Sequence, residues 1–229
     1  MTLPRLITLA IAAGILCFGE ARAEDKKAKD EPKWKDLFDG KSLEGWKSSY
    51  SDGSGKVEVK DGAIVMPKGE KMTGVTYTRG DFPKTNYEVV LEGKRVDGRD
   101  FFCTTTFPVG DSFCSLVVGG WGGMVTGISS INGADASENE TTGNMEFKSG
   151  KWYKVRIRVT DKKLEAWIGD DKVADVELKG KKISTRIECE ECQPFGICTW
   201  DTTGAVRDIK VRMLTDAEKK EAGKPGENK

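Results

Sequence analysis

The sequence predicts an all-β fold, an antiparallel sandwich of two packed sheets, and three observations carry that expectation. The first is strict alternation. In Gly150-Lys-Trp-Tyr-Lys-Val-Arg-Ile-Arg-Val-Thr160, residues Tyr153, Val155, Ile157 and Val159 share one face while Lys154, Arg156, Arg158 and Thr160 share the other, the period-two pattern of a half-buried strand. The second is the shortness of the connections. Asp161-Lys-Lys leads into Leu164-Glu-Ala-Trp-Ile168, and Gly169-Asp-Asp leads into Lys172-Val-Ala-Asp-Val-Glu-Leu178, spacings that admit only antiparallel neighbours. The third is that no stretch sustains helical periodicity and no internal repeat is present, so roughly a dozen short strands must bury one another. The rest of the chain is expected to supply the sheet that faces this three-strand meander.

Taken in order, residues 1–23 read as a secretory signal peptide. Arg5 precedes an apolar run from Leu6 to Phe18, and Ala21-Arg-Ala23 is a small-x-small end after which cleavage is expected. Leu16 before Cys17 is too bulky for a lipid-anchoring motif. No later apolar run is long enough to span a bilayer, which predicts a mature protein that is secreted or periplasmic. Residues 24–33 are a charged linker, 34–214 the β-sandwich domain, and 215–229 a charged tail, disordered or a short helix.

Within the domain, Leu37, Phe38, Leu43 and Trp46 surround an Asp39-Gly40 turn and make a compact knot suited to plug one end of a sandwich. Lys56 to Met66 reads as a hairpin around Asp61-Gly62, a strong short-range turn signal. Asn86–Val96 and Arg99–Phe107 read as two strands separated by Asp97-Gly98, and Phe113–Val118 as a third. Gly119-Gly-Trp-Gly-Gly123 interrupts the pattern before Met124–Ile131 resumes it. Asn132 to Asn144 is the most polar internal stretch, a loop or irregular edge. Phe195–Trp200 and Ala205–Leu214 close the domain, the latter with one slip of alternation near Asp208.

Composition narrows the chemistry. The chain of 229 residues carries 37 basic and 37 acidic side chains, interleaved along the strands, so nothing draws it to nucleic acid. It contains no histidine, which removes the commonest general base and metal ligand. Any reaction must use carboxylates, Lys, Tyr or Cys. Five cysteines remain beyond the signal: Cys103, Cys114, Cys189, Cys192 and Cys198. In an exported protein they are disulfide candidates, and the odd count leaves one over. Cys103 and Cys114 flank Phe107-Pro-Val-Gly110, and in one hairpin register they would face each other. Cys189-Glu-Glu-Cys192 has the spacing of a redox or zinc pair, but it stands alone and lacks a βαβ setting.

Leu37-Phe-Asp-Gly-Lys-Ser-Leu-Glu-Gly-Trp46 resembles the opening motif of the 3-keto-disaccharide hydrolase domain family, bacterial exported proteins with a concanavalin A-like jelly-roll fold. Further similar segments follow in order: Val57-Glu-Val-Lys-Asp-Gly-Ala-Ile-Val65, Asp81-Phe-Pro, Asn86-Tyr-Glu, Gly150-Lys-Trp-Tyr-Lys-Val-Arg-Ile157, and Val206-Arg-Asp-Ile-Lys-Val211. The resemblance spans most of Trp34 to Leu214. It departs in the middle, where the family's Glu-x-Gln-x-x-Asp strand is replaced by Leu116-Val-Val-Gly-Gly-Trp-Gly-Gly123, and near the end, where Cys198-Thr-Trp-Asp201 lacks the family's histidine. Neither position carries over.

The resemblance implies cleavage of glycosides already oxidised at C3. The ketone acidifies the C2 proton, a base removes it, the aglycone leaves from C1, and water adds across the double bond. Such a site needs a base and a group that holds the enolate. Glu138 and Glu140 are the catalytic candidates, which point to one side roughly 7 Å apart if their segment is extended; the alternative is that they are solvated loop residues. Trp121, ringed by glycines, is either the candidate platform for a sugar ring or a core residue covered by another sheet, with Asp135, Asn139, Trp200 and Asp201 as further substrate-binding candidates. Asp135, Ser137, Asn139 and Glu146 form an oxygen-rich set for a divalent cation, although Glu140 stands where a calcium loop needs glycine. Lys94, Arg95 and Arg99 either coat the Asp97-Gly98 turn or bind an anion. The expected ligand is a carbohydrate. Two other functions stand beside catalysis: a non-catalytic carbohydrate-binding module, and a structural or interaction protein of the cell envelope.

Overall fold

The computed structural model describes residues 33–222; the expected signal peptide and nearly all of the linker lie outside them. The chain forms β1 (Lys35–Asp36), β2 (Trp46–Ser48), β3 (Glu58–Lys60), β4 (Ala63–Met66), β5 (Thr73–Tyr77), β6 (Tyr87–Gly98), β7 (Thr104–Val109), β8 (Ser112–Gly120), β9 (Val125–Ser129) and β10 (Gly143–Asn144). It continues with β11 (Trp152–Val159), β12 (Lys163–Ile168), β13 (Asp171–Glu177), a 3-10 turn (Ile187–Cys192), β14 (Gly196–Thr199), β15 (Thr202–Met213) and α1 (Asp216–Ala222). One sheet runs β13-β12-β11-β6-β15-β4-β3 with β1 beside β15, the other β10-β9-β8-β7-β14-β5-β2. All pairings are antiparallel, as the alternation and short turns required. No helix among the described residues is long and apolar enough to cross a membrane.

The core lies between the sheets, where Val89, Leu91, Val155, Ile157 and Val206 of one face Phe107, Leu116, Val118, Ile128 and Ile197 of the other. The knot after Trp34 contributes Leu37, Phe38 and Trp46, with the Trp46 indole N–H donating to Leu37 O at 2.8 Å. Asp39 closes its turn by accepting from the amides of Lys41 and Ser42, both at 2.8 Å. Asp61 and Gly62 both take positive φ, +52° and +76°, which is the paired left-handed turn that a tight β3–β4 hairpin demands. The alternation slip near Asp208 is a bulge: the β6–β15 register shifts between Arg207 and Lys210, and Asp208 has φ +51°.

Three expectations change. The meander β11–β13 does not form a sheet alone; β6 pairs with β11 on one side and β15 on the other, so early and late strands complete the same layer. The strand expected over Arg99–Phe107 begins only at Thr104, and Asp97-Gly98 belongs to β6 instead of separating two strands. β6 stays paired to β15 through Gly98, and residues 99–103 cross to the other sheet, burying Phe102 and Cys103 on the way. Finally, β7 extends through Pro108 to Val109, so Cys114 stands opposite Phe107 and not opposite Cys103. Pro108 is tolerated because β14 pairs only with Thr104–Thr106, leaving no partner there that needs its amide. All five cysteines beyond residue 33 are buried free thiols.

The outer face of the eight-stranded sheet carries a buried ion network. Glu88 accepts from Arg158 at 2.8 Å and 2.9 Å and from Arg212 at 3.0 Å and 3.3 Å, and Arg212 reaches Glu218 of α1 at 2.6 Å and 2.9 Å. Thr215 and Glu218 form a reciprocal cap at the start of α1, since Glu218 accepts from the Thr215 amide at 2.8 Å. The Arg212 guanidinium and that cap hold the Glu218 carboxyl down at about 2. A carboxyl with a depressed folded pKa stabilises above its unfolded value and loses that contribution as pH falls through the folded one. Glu218→Gln is therefore expected to lower the melting temperature at pH 7 and to make little difference near pH 2; equal effects at both would show that the ion pair does not anchor α1.

Candidate functional site

The outer face of the seven-stranded sheet is lined with small polar side chains. Ser129, Ser115, Thr106, Gly196 and Thr76 follow one another across β9, β8, β7, β14 and β5. All four hydroxyl residues are buried, and the connection between β13 and β14 lies over part of the row. That connection pairs Ser184 with Ser130 through both backbone bonds, at 2.5 Å and 3.1 Å, and receives Ser112 Oγ on Ile183 O at 2.6 Å. Further on, the 3-10 turn accepts Thr76 Oγ1 on Glu191 O at 2.7 Å and Tyr50 Oη on Glu188 O at 2.7 Å.

Between this cover and two strand-end turns a cleft of about 290 Å³ stays open. Its floor is Thr104, Ser115, Val117 and Ser129; its walls are Met72, Phe101 and Cys189; its mouth holds Trp121, Trp200, Asp100, Arg186 and Glu188. Trp121 and Trp200 are 45% and 43% exposed, large for indoles in a domain that buries most of its apolar side chains. Trp121 has φ +48° and so does Asp201, the neighbour of Trp200. A bulky indole-bearing residue held in the left-handed region at a cleft mouth is strain of the kind that clusters at binding sites, whereas an aspartate takes that conformation readily.

Each tryptophan is fixed through its backbone. Asp100 accepts from the amides of Phe101 at 2.8 Å and Gly122 at 2.9 Å, tying the Trp121 turn to the sheet crossing, and the Trp200 amide donates to Phe101 O at 3.1 Å. Below the Trp121 turn lies Arg95, expected at a turn surface but in fact buried. Its guanidinium donates to Phe147 O at 3.3 Å, Gly123 O at 3.2 Å and Gly119 O at 3.5 Å, and stacks 5.1 Å from the Phe102 ring centre. Strand β6 delivers it there because Arg95 points between the layers at the end where β8 turns into β9. A Cβ on Gly119 would lie 2.7 Å from its terminal nitrogen, so glycine at this position is what lets the cation under the loop.

Arg186 is the charged centre of the mouth. It pairs with Asp135 at 2.6 Å and with Glu188 at 3.1 Å, and sits 5.9 Å from the Trp121 ring centre. Hydrogen bonding to Arg186 holds the Glu188 carboxyl below its usual range. Of the hydroxyl groups on the floor, Thr104 Oγ1 has no partner within the described residues, whereas Ser115 bonds Thr106 at 2.8 Å.

The structure thus brings Trp121 and Trp200 together and joins Asp135 to them through Arg186. It separates the others. Glu138 is exposed on the polar loop, and Glu140 pairs with Lys181 beside a different hollow of about 440 Å³ near Thr141, Asn144, Lys172 and Asp175. Asp201 turns to Lys68. Asn139 is an internal brace, its amide donating to the carbonyls of Ile128, Ala134 and Asp135 at 2.7–3.1 Å and its carbonyl accepting from Thr141. With Asp135 bound to Arg186 and to Ser137, and Asn139 turned inward, the oxygen set does not fit a cation; no three acidic or sulfur side chains among the described residues are grouped for one.

The fold is a two-sheet antiparallel jelly roll, and comparison with solved structures shows that glycosyl hydrolase-like proteins share it at the level of fold. A transglycosylase, Crh5, in complex with NAG superposes with a TM-score of 0.55 at 12% identity, covering 81% of this chain and 84% of that one. A candidate glycosyl hydrolase from Parabacteroides distasonis gives 0.52 at 14% identity over 84% and 97% of the two chains. A sialidase gives 0.52 at 10% identity, over 83% of this chain and 19% of its own. No curated protein matches the sequence. The chain belongs to the 3-keto-alpha-glucoside-1,2-lyase-like domain family, whose profile matches residues 33–212.

Proposed function

We propose that this chain binds a small 3-keto-glycoside in the cleft between Trp121 and Trp200 and promotes elimination of its aglycone. The observation that carries the reading is the pair of half-exposed indoles over a hydroxyl-bearing floor, beside a guanidinium held by two carboxylates. Indole faces suit the apolar C–H faces of a sugar ring, and floor hydroxyls suit its rim. The volume sits at the lower end for ligand pockets, which favours a short glycoside over a long glycan.

In this reading Glu188 takes the C2 proton. The C2–H electrons form the C1=C2 bond, the C1–O bond breaks toward the aglycone, and the proton passes to the departing oxygen. Arg186 faces the C3 enolate oxygen and offsets its charge. Asp100 is engaged by two backbone amides and serves as a tie, not as a base. Family membership and the export expected from residues 1–23 fit a protein that meets glycosides outside the cytoplasm.

A second reading, recognition without turnover, is favoured by one observation: a carboxyl held below its usual range by Arg186 is a poor base near neutral pH. One experiment separates the two. Purified protein is incubated with 3-keto-glucosides while binding and aglycone release are followed in parallel. Release that Glu188→Gln abolishes with binding kept supports elimination; binding without release in the parent protein supports recognition alone. Trp121→Ala is expected to weaken binding on the order of tenfold in either case. Unchanged affinity in that variant would remove the cleft from both readings.

A further inference from the structure

Three cysteines meet at the inner wall of the cleft. Cys189 and Cys192 come from the 3-10 turn, Cys198 from the outer face of β14, and together with Met72 they form a small buried cluster separate from the main core and edged by Tyr50 and Phe101. The sheet is cut away to receive them. Gly74 stands opposite Cys198 on β5, where a Cβ would come within 2.9 Å of the Cys198 Cβ, and a Cβ on Gly196 would come within 2.9 Å of the Cys192 Cβ. Side chains at either position would push the sulfurs apart.

The contacts within the cluster are unequal. Cys198, on β14, packs against the pair from the 3-10 turn. Cys192 Sγ lies 3.4 Å from Tyr50 Oη and 3.6 Å from Ser49 Oγ. Hydrogen bonding with Cys198, Tyr50 and Ser49 outweighs burial and holds the Cys192 thiol below the ordinary cysteine range, while its neighbour Cys198 is raised well above it. Cys189 alone of the three lines the cleft. Cys103 and Cys114 provide the contrast: each is sealed in the main core, its thiol pushed up by burial, and the strand register keeps them apart.

We propose that Cys189, Cys192 and Cys198 form a thiol–disulfide exchange site that accepts a low-molecular-weight disulfide through the cleft and keeps the oxidation as an internal bond to Cys198. Cys189, deprotonated to water, attacks one sulfur of the incoming disulfide and expels its first thiolate. Cys198, its proton passing to the departing thiolate, attacks the Cys189 sulfur of that mixed disulfide and expels the second, leaving Cys189–Cys198. Two protein thiols have then lost two protons and two electrons, and the incoming disulfide has become two thiols. Attack of the Cys192 thiolate on the Cys198 sulfur moves the bond inward to Cys192–Cys198 and returns Cys189 to the cleft as a thiol. The bond pins the cover that carries Arg186 and Glu188 onto β14. The inference stands on the sulfur cluster and not on what sugar the cleft takes.

The test uses the whole protein and oxidised glutathione. After incubation near neutral pH, free thiols are alkylated under denaturing conditions and the disulfides mapped by peptide mass spectrometry. The expected product is one internal disulfide containing Cys198, with Cys103 and Cys114 alkylated. Cys189→Ser is expected to slow oxidation at least tenfold, since the two remaining sulfurs are out of reach. Cys198→Ser is expected to stop at a glutathione adduct on Cys189. Full alkylation of all three cluster cysteines in the parent protein would overturn the proposal. So would a disulfide confined to Cys103 and Cys114, or unimpaired oxidation in Cys189→Ser with a parent-like circular dichroism spectrum and melting temperature.

Discussion

Glu88→Ala is expected to destabilise the fold by roughly 3–5 kcal/mol, the usual result of taking one partner from a buried ion cluster. The Glu88 side chain is 4% exposed, and its loss leaves Arg212, at 8%, and Arg158, at 17%, facing each other with less counter-charge. Glu218 still holds Arg212 from the other side, so the penalty falls chiefly on Arg158 and on the repulsion between the two guanidinium groups. For a domain of this size the melting temperature should drop on the order of 10 °C. Glu88→Gln, which keeps the shape and one acceptor oxygen, should cost less. Thermal unfolding of both variants checks the claim, and a shift under about 2 °C for Glu88→Ala would show that these charges are hydrated instead of mutually satisfied.

Arg95→Met is expected to act on both stability and ligand binding. It removes a cation that donates to three backbone carbonyls under the Trp121 turn, at a cost of about 2–3 kcal/mol for acceptors left buried without a donor. The methionine can replace the packing against Phe102 but not the bonds. Since Gly119 and Gly123 are shaped around the guanidinium, the turn should lose its fixed path and the indole its position. Affinity for a cleft ligand is expected to fall about tenfold. Arg95→Lys should recover little, because a single ammonium cannot span carbonyls from two separate segments. Calorimetry for binding and thermal melting for stability are read on the same preparations. Lower melting temperature with unchanged affinity would mean that Arg95 supports the sandwich without positioning Trp121.

Much of this architecture can be read from the chain itself where a local rule governs it. The meander from Trp152 to Glu177, the Asp61-Gly62 hairpin and the slip at Asp208 follow from period-two alternation and from residues able to take positive φ. What local rules do not contain is sheet membership. Whether β6 pairs with β7 or crosses away from it depends on β15, more than a hundred residues later, so Asp97-Gly98 looks like a hairpin turn until that partner is present.

The same limit explains the site. Trp121 and Trp200 stand out locally, one among glycines and the other beside a strand end, and both reach the cleft mouth. Glu138 and Glu140 draw attention as acidic residues on a polar loop, yet composition says nothing of where that loop sits, and Glu140 serves Lys181. Arg186 and Glu188 have no motif around them. The signal that points to them is length: the connection from β13 to β14 is far longer than its neighbours, and long connections in compact domains are where binding residues gather. Arg95 is concealed by the opposite effect, since a charged residue near an expected turn reads as surface until the carbonyls it serves are known.

The segment laid across the hydroxyl rows has one more implication, for the topology of entry. With the 3-10 turn seated on Thr76 and the Ser130–Ser184 pairing holding the β9 side, the segment is pinned at two points, and exchange runs along the open edge that Trp121 and Trp200 flank. The cover then works as a fixed cornice: a ligand comes and goes beside the two indoles without that segment having to lift.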